Sequence, residues 1–248
     1  MSIHVITGAG SGIGRAVALQ LARAAPGRRL VLVGRRRDAL AATASLVAAA
    51  APSAPPPLLL ACDLQRPEAV EATFGAGLEP VQGVALCAGG LAPDAPGMPS
   101  GLVTTAAAWE SDWRLNVLTA VLTVAALEPF LADHARIVTM GSIAGARGGG
   151  SYGSAKAALV PWVRDLARRL GPRGITANVV SPGYVAHTEF FGAAMTSERH
   201  GRLVAETLNG RAGTPEDVAA VVGHLLSPDA GHITGQVVHV NGGALLAG

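Results

Sequence analysis

Short apolar runs alternate with longer amphipathic stretches along the chain. The apolar runs are nearly continuous, which is typical of strands buried on both faces of a parallel sheet. The stretches between them place apolar residues three and four positions apart, as helices with one buried face do. We therefore predict an α/β fold with a doubly wound, seven-stranded parallel sheet and helices on both faces. The predicted strands are Ile3–Ile6, Leu30–Val33, Leu58–Ala61, Val84–Leu86, Ile137–Thr139, Thr176–Val180 and Val237–Val240.

The longest helical pattern runs from Thr105 to Leu131 and carries an apolar stripe. Asn116 lies beside that stripe, where asparagine is unfavourable because its side chain competes for backbone hydrogen bonds. The chain shows no repeat and no linker, so we predict one domain over residues 1–248. Residues 186–210 are expected to form a lid over the edge of the sheet. The predicted stripe consists of Trp113, Val117, Val121, Val124, Leu127 and Leu131.

A glycine-rich loop follows the first strand and leads directly into a helix. Glycines allow the tight turn and let the backbone approach a pyrophosphate, while the helix N-terminus offers free N–H groups. This arrangement predicts a Rossmann-type dinucleotide site. The loop residues predicted to contact the cofactor are Thr7, Gly8, Ser11, Gly12, Ile13 and Gly14.

The end of the second strand indicates which dinucleotide is bound. NAD-binding units usually carry an acidic residue there, which holds the ribose 2′-hydroxyl. This chain has Gly34 followed by Arg35, whose guanidinium suits a 2′-phosphate. We therefore predict a preference for NADP, with NAD as the alternative. Asp38 lies four residues after Gly34 and is expected in the first turn of the next helix, where an acid is favourable.

Tyr152 and Lys156 are separated by four positions, so on a helix their side chains lie on one face. An ammonium about 4 Å from the phenol favours the phenolate by roughly 4 kcal/mol at an effective dielectric near 20. That energy corresponds to about three pKa units, which would bring the tyrosine into the range useful for proton transfer near neutral pH.

Composition and charge exclude several classes of function. The 248 residues carry a formal net charge of +2, so no nucleic-acid partner is expected. The two cysteines, Cys62 and Cys87, form no CxxC spacing, and the histidines form no HxH or HExxH motif, so we expect buried thiols and no metal site. No signal peptide and no apolar run long enough to span a membrane is recognised, which predicts a cytoplasmic protein.

Taken together, these motifs resemble those of the short-chain dehydrogenase/reductase family over nearly the whole chain. The closest resemblance is to the β-ketoacyl reductases, which act on substrates held by acyl carrier protein. The resembling motifs are the loop of residues 7–14, Asp63-Leu64, Ala88-Gly89, Asn116, Ser142, Tyr152-x-x-x-Lys156, Pro182-Gly183 and the terminal Val-Asn-Gly-Gly.

The resemblance implies an NADP(H)-dependent reductase or dehydrogenase with a role for each catalytic residue. Tyr152 would be the general acid in carbonyl reduction and the base in the reverse direction. Lys156 would lower the pKa of that tyrosine and bind the nicotinamide ribose, and Ser142 would hold the substrate oxygen. Asn116 would order a water that relays protons to Lys156. The resemblance further implies cofactor contacts by Asp63, Leu64, Ala88, Gly89, Pro182, Gly183, Val185 and Thr188.

The chain departs from the family pattern at several positions. The segment between Ser142 and Tyr152 is shorter than usual, so Ser151 is an alternative hydroxyl donor. Cys87 stands where the family usually has an asparagine. Thr188 lies one residue later than is common, so His187 competes for its role.

The resemblance implies a small carbonyl or alcohol substrate, carrier-bound or free, and a homotetramer or homodimer. The segments expected to line the substrate pocket favour an apolar or aromatic substrate, because they contain Leu91, Met98, Tyr184, Phe190, Phe191 and Met195. Arg173 fits one carrier-binding position, whereas Asp133 occupies another. The alternatives are an NAD-dependent alcohol dehydrogenase, a protein that binds the cofactor without turnover, and a non-redox dehydratase or epimerase.

Overall fold

A single parallel sheet of seven strands runs through the described part of the chain. A computed structural model gives the fold and describes residues 2–25, 27–75, 78, 80–91 and 101–246. The strands are β1 (Ser2–Thr7), β2 (Arg28–Gly34), β3 (Leu58–Ala61), β4 (Val81–Leu86), β5 (Leu131–Met140), β6 (Thr176–Pro182) and β7 (Val237–Val240). Their order across the sheet is β3-β2-β1-β4-β5-β6-β7. The predicted seven-stranded parallel sheet is therefore confirmed.

Helices cover both faces of this sheet, and the sheet separates two apolar cores. On one face, α3, α5 and α7 pack against strand residues such as Val84 and Ile137. On the other face, α1, α2 and α9 pack against residues such as Ile6 and Leu32. The helices are α1 (Gly12–Ala24), α2 (Arg37–Ala50), α3 (Pro67–Phe74), α4 (Leu102–Trp113), α5 (Thr119–Leu127), α6 (Ala144–Arg147), α7 (Gly150–Leu170), α8 (Ser197–Ala205) and α9 (Pro215–Leu225).

The chain reverses its direction of travel across the sheet between β1 and β4. Strand β1 pairs with β2 on one side and with β4 on the other. The segments that leave the carboxyl ends of β1 and β4 therefore diverge onto opposite faces of the sheet. In open α/β sheets this divergence creates the crevice in which ligands bind.

The long helical pattern differs from the prediction in its buried face and in its end. A π-helical turn, Arg114–Leu118, joins α4 to α5 and adds about one residue to a single turn. Because of the extra residue, the buried face of α5 is continued in α4 by Asp112, which is 2% exposed. Trp113 is turned away from that face and is 46% exposed. The prediction that Trp113 belongs to the buried stripe was wrong. So was the assignment of Leu131 to the helix, because Leu131 begins β5.

A capping box explains where α9 begins, and an acidic residue lies in the first turn of α2. Thr214 and Asp217 form a capping box at the start of α9, where each side chain accepts a hydrogen bond from the other's backbone N–H. Asp38 lies in the first turn of α2, as predicted.

Helix α7 stays continuous through Pro161, with Leu159 and Val163 buried on either side of it. None of the helices within the described ranges is long and apolar enough to cross a bilayer.

Candidate active site

A cavity of about 700 Å³ opens at the carboxyl ends of the strands, above the point where β1 and β4 diverge. The glycine loop forms one wall and the start of α7 forms another, so the two motifs that are distant in sequence face one space. Most of the predicted site residues line this cavity. They are Gly8, Ser11, Gly12, Ile13, Gly14, Arg35, Asp63, Leu64, Ala88, Gly89, Ser142, Tyr152, Lys156, Pro182, Gly183, Val185 and Thr188.

Two predicted site residues, Thr7 and Asn116, lie behind the cavity wall instead of lining it. Thr7 is 1% exposed, and its hydroxyl accepts a hydrogen bond from the Ala88 N–H at 3.0 Å. Thr7 thus ties the end of β1 to the segment after β4. The predicted direct contact between Thr7 and a cofactor does not follow from this geometry.

The glycine loop is held so close to its neighbours that side chains would not fit at two positions. A Cβ on Gly14 would lie 2.3 Å from the Gly8 carbonyl oxygen, and one on Gly8 would lie 2.7 Å from that of Cys87. Gly8 also has a left-handed backbone, with φ of +63°. Thr43 of α2 donates a hydrogen bond to the Ala9 carbonyl at 2.9 Å. The loop is therefore fixed from three sides.

Arginines lie at the cavity edge beyond β2. Arg35 and Arg36 both line the cavity, and Arg35 is exposed. Arg36 forms an ion pair with Glu189 at 3.0 Å, and this contact reaches from the β2 edge to the segment after β6. Arg35 is thus a cation that faces the cavity at the position predicted for a 2′-phosphate contact.

The wall after β6 is built on the C-terminal motif. A Cβ on Gly183 would lie 2.8 Å from the Cβ of Asn241, so the terminal Asn-Gly-Gly packs directly beneath Pro182-Gly183. Thr188 lines the cavity and lies about 3.5 Å from the position of a Cβ on Gly12, across the cleft. His187 is exposed and has φ of 57°. Of the two competing positions, the structure places Thr188 at the cavity.

Ser142 lies beside Tyr152 despite the short segment between them. That segment contains α6, a single turn that packs closely on α7, since a Cβ on Gly153 would lie 2.7 Å from the Ala144 carbonyl oxygen. The Ser142 hydroxyl accepts a hydrogen bond from the Ala144 N–H at 3.2 Å. The alternative hydroxyl, that of Ser151, points elsewhere and donates to Asp112.

The protonation of Tyr152 differs from the sequence-based expectation. Burial raises the pKa of Tyr152 to about 12, hydrogen bonding with Ser142 partly opposes the rise, and the negative charge of Asp112 adds to it. The Lys156 ammonium nitrogen lies 5.9 Å from the centre of the phenol ring. The predicted lowering of the Tyr152 pKa into the neutral range is not found in this arrangement, because burial is the largest cause and shifts the pKa the other way.

Lys156 is the one lysine in the sequence, and it is buried. Its ammonium donates a hydrogen bond to the Met140 carbonyl at the end of β5, at 2.9 Å. Burial lowers the pKa of Lys156 to about 8, and the interactions with Asp112 and Cys87 oppose that shift. A cation that titrates near 8 sits beside a phenol that keeps its proton at neutral pH.

Asn116 lies in the middle of the π-helical turn, and its side chain holds the segment after β4 through two hydrogen bonds. Its side-chain oxygen accepts from the Gly90 N–H at 3.0 Å, and its amide donates to the Gly90 carbonyl at 2.9 Å. A Cβ on Gly89 would lie 2.8 Å from the Asn116 oxygen and 3.1 Å from the Lys156 nitrogen. The bare backbone of Gly89 therefore lets Asn116 and Lys156 approach each other.

Aromatic residues form the substrate side of the cavity. Phe190 packs edge-on against Tyr152 with ring centres 5.4 Å apart, and Phe191 packs on Phe190 at 4.8 Å. Arg199 lies 4.5 Å above the ring of Phe191. Tyr184 contacts Phe191 as well. Leu91 also lines the cavity, whereas Met98, predicted for the same pocket, lies outside the described residues.

Two further residues depart from the sequence-based picture. Asp112 is absent from the predicted site, because the predicted stripe placed its neighbour Trp113 on the buried face. An acidic residue four positions before Asn116 was the signal that could have revealed it. Cys87 was expected to be buried, but it is half-buried and lines the cavity, whereas Cys62 is buried. Within the described ranges, no three His, Cys, Asp or Glu side chains are grouped to hold a metal.

Known proteins match the chain over almost its whole length. The sequence model of a family described as enoyl-(acyl carrier protein) reductase matches residues 8–244. The fold superposes with a TM-score of 0.85 on a short-chain dehydrogenase/reductase from Brucella melitensis, described as glucose/ribitol dehydrogenase. That structure is 28% identical, and the match covers 99% of this chain and 97% of that one. The chain is a short-chain dehydrogenase/reductase. It is accordingly an oxidoreductase of the short-chain type, as the motifs predicted.

Curated relatives of this short-chain dehydrogenase/reductase include carrier-protein reductases. The 3-oxoacyl-[acyl-carrier-protein] reductase FabG of Escherichia coli is 42% identical over 113 residues, which is 44% of this chain and 46% of FabG. The match thus spans less than half the length of that relative. The short-chain reductase protein NovJ of Streptomyces niveus is 31% identical over 255 residues, which cover 98% of this chain and 93% of NovJ.

Proposed function

We propose that this protein is an NADP(H)-dependent oxidoreductase that transfers a hydride between nicotinamide and a ketone or secondary alcohol. The observation that carries the proposal is the meeting of Ser142, Tyr152 and Lys156 on the wall of the same cavity as the glycine loop. A phenol, a hydroxyl and an ammonium beside a dinucleotide cleft are the groups that carbonyl reduction needs.

The residues of the cleft fit a dinucleotide. At Gly8 and Gly14 the loop packs backbone against backbone, with no room for a Cβ, and α1 begins at this loop with Gly12. The N–H groups at that helix start would hold the pyrophosphate. Asp63 and Leu64 would contact the adenine, and the wall from Pro182 to Thr188 would hold the nicotinamide end.

The preference for NADP over NAD rests on Arg35. Its exposed guanidinium faces the cavity, and no carboxylate follows directly on β2 to repel a 2′-phosphate. The Arg36–Glu189 ion pair keeps the neighbouring guanidinium partly neutralised, which leaves Arg35 as the better phosphate ligand. NAD remains the alternative cofactor.

Each proposed catalytic residue has one task. The nicotinamide supplies or accepts the hydride when bound. Tyr152 donates its proton to the carbonyl oxygen, and Ser142 hydrogen-bonds the same oxygen as it gains negative charge. Lys156 holds a positive charge beside the phenol. The hydrogen bond between Asn116 and Gly90 fixes the cavity wall next to Lys156.

The protonation of the site suits reduction at neutral pH. Because the pKa of Tyr152 is raised to about 12, the phenol carries the proton that it must donate. Oxidation of an alcohol needs the phenolate as base, so it is expected to become efficient only at higher pH.

The substrate proposed for this site is an apolar or aromatic carbonyl compound, because Phe190 and Phe191 form the wall next to Tyr152. A carrier-bound form is consistent with the similarity to FabG, a 3-oxoacyl-[acyl-carrier-protein] reductase. The position of Arg173 gives this form little support, since its guanidinium is paired with Asp133 at 2.8 Å.

A homo-oligomer, dimer or tetramer, is also proposed. Trp109 and Trp113 on α4 are about half exposed, and Leu246 near the chain end is 78% exposed. A second copy would cover such apolar side chains. Sedimentation of the purified protein gives the mass that tests this proposal.

Tyr152→Phe is the decisive test of the proposed reaction. We expect kcat for ketone reduction to fall by about 10²- to 10⁴-fold, because the variant lacks the proton donor. NADPH affinity should be retained, since the ring still fills its place beside Phe190. Tyr184→Phe is the matched control, because it removes the other of the two tyrosine hydroxyls in the chain, which is bonded to His200.

The outcomes separate the candidate functions. Undiminished turnover by Tyr152→Phe would remove Tyr152 from its role. Tight binding of NADPH by the unaltered protein, with no hydride transfer to any of a broad panel of ketones, would favour the alternative function, a protein that binds the cofactor without turnover.

A further inference from the structure

Asp112 is an acidic side chain buried behind the active site. It is 2% exposed and lies in the last turn of α4, directly before the π-helical turn that carries Asn116. Burial of a carboxylate costs free energy unless charged or hydrogen-bonding groups compensate for it. Its surroundings therefore indicate which groups it serves.

The Asp112 carboxylate contacts the first turn of the catalytic helix. The Ser151 hydroxyl donates a hydrogen bond to its Oδ2 at 2.6 Å. This distance lies in the range of O–H donors bound to ionised oxygens, which form stronger hydrogen bonds than neutral pairs. Because Ser151 directly precedes Tyr152 in α7, the contact fixes the start of that helix next to the phenol.

The backbone of the same residue supports the other side of the site. The Asp112 carbonyl accepts a hydrogen bond from the Asn116 amide at 3.1 Å. Asn116 in turn holds Gly90, and its oxygen lies close to Lys156 across Gly89. Asp112 is thus bonded to the start of α7 through Ser151 and to Asn116, whose side-chain oxygen flanks Gly89 together with the Lys156 nitrogen.

Four titratable groups share this part of the molecule. Lys156 faces Tyr152 on its own helix, Cys87 at the end of β4 and Asp112 on α4, while β5 contributes the Met140 carbonyl. Burial raises the pKa of the Cys87 thiol to about 12, so the thiol is neutral in the range where Lys156 titrates. Asp112 is then the acid that can supply negative charge beside the pair.

We propose that Asp112 is a positioning residue whose carboxylate acts as the counter-charge of the Tyr152–Lys156 pair and anchors the start of α7 through Ser151. The proposal rests on the proposed function for its catalytic meaning. The charge stabilises the Lys156 ammonium and disfavours the Tyr152 phenolate, so both groups keep their protons to higher pH. The site is thereby biased toward the protonated form that reduction uses.

The chain offers a direct readout, because Lys156 is its one lysine. Protein labelled with 13C at the lysine ε-carbon gives a single lysine resonance, whose chemical shift follows protonation of Lys156. In the unaltered protein the midpoint is expected near pH 8. In Asp112→Asn, which keeps an oxygen for Ser151 but loses the charge, we expect the midpoint to fall by about one pH unit.

Three further variants separate charge from hydrogen bonding. Glu110→Gln removes an exposed acid two residues away on the same helix and should leave the midpoint unchanged. Ser151→Ala keeps the charge but removes the hydrogen bond, so it should lower kcat without lowering the midpoint. Asp112→Ser replaces the Asn variant if that variant does not fold. Equal midpoints in Asp112→Asn and Glu110→Gln would overturn the proposal.

A kinetic arm links the titration to the reaction. Ketone reduction by Asp112→Asn should begin to decline with rising pH about one unit earlier than reduction by the unaltered protein. A shifted lysine titration with an unshifted rate profile would overturn the catalytic part of the proposal. The titration needs no substrate, so a protein that reduces no ketone would refute the proposed function while the titration still decides the role of Asp112.

Discussion

Gly14→Ala tests whether the close approach within the glycine loop governs cofactor binding. The added Cβ would lie 2.3 Å from the Gly8 carbonyl oxygen, 2.7 Å from its carbon and 3.1 Å from the Ala9 nitrogen. All three are backbone atoms, so no side chain can rotate away. The backbone of Gly8 has little room to move away, because it is packed so closely on Cys87 that a Cβ added to Gly8 would lie 2.7 Å from the Cys87 carbonyl oxygen.

The size of the effect follows from this confinement. A Cβ and a non-bonded oxygen essentially never approach closer than 3.0 Å, so the 2.3 Å separation requires the loop to move by about 0.7 Å. Strain of this kind typically costs about 1–3 kcal/mol. If the displaced N–H groups are those that hold the pyrophosphate, the same energy weakens binding by about 5- to 150-fold.

Fluorescence titration with NADPH measures this loss, and thermal unfolding without cofactor shows how much of the strain the fold itself bears. Gly27→Ala is the matched control, because nothing lies within 4 Å of the position of its Cβ and it is remote from the loop. Wild-type Kd and Tm in Gly14→Ala would refute the reasoning, since the contact would then impose no constraint. A lower Tm with unchanged Kd would mean that the loop does not hold the cofactor.

Two further predictions concern charged residues at the surface. Arg35→Ala should weaken NADPH binding by about 10- to 100-fold and leave NADH binding unchanged. Arg37→Ala, which removes an exposed arginine outside the cavity lining, should affect neither, and an equal loss for both cofactors would contradict the assignment of Arg35. The Arg211 guanidinium and the Thr214 N–H lower the pKa of Asp217 to about 2, so its stabilising contribution is present at neutral pH and is lost as pH falls from about 4 toward 2. Asp217→Asn should therefore unfold more easily in urea at pH 7, by about 1 kcal/mol, and this difference should shrink in acid; a difference independent of pH would rule out the charge as its source.

The sheet could be predicted from the sequence because its determinants are local. Each buried strand is a short apolar run, and the glycine loop follows the first strand within a few residues, so both can be recognised without knowledge of distant contacts. The ends of elements were less certain where apolar residues continued across a boundary. Leu131 fits both the end of a helical stripe and the start of a buried strand, and only its pairing with Val81 of β4 decides between them.

Properties that depend on tertiary packing could not be predicted from the sequence. Lys156 can be placed one turn from Tyr152 by counting residues, but the burial that raises the pKa of the phenol comes from neighbours such as Phe190 and from the depth of the cavity. Asp112 escaped for a related reason. A regular helix would have placed Trp113 on the buried face, and no local signal marks the π-helical turn.

Because of the π-helical turn at Arg114–Leu118, the number of residues in this segment determines which side chains of α4 face the active site. One residue in a helix corresponds to a rotation of about 100° around the axis. Deleting a single residue from this turn would restore regular winding and swing α4 around, which would carry Asp112 away from Ser151. Ser142, Tyr152 and Lys156, which follow the turn in sequence, would keep their identities and their places in the fold. Insertions and deletions here therefore change the electrostatics of the active site while every motif residue remains in place.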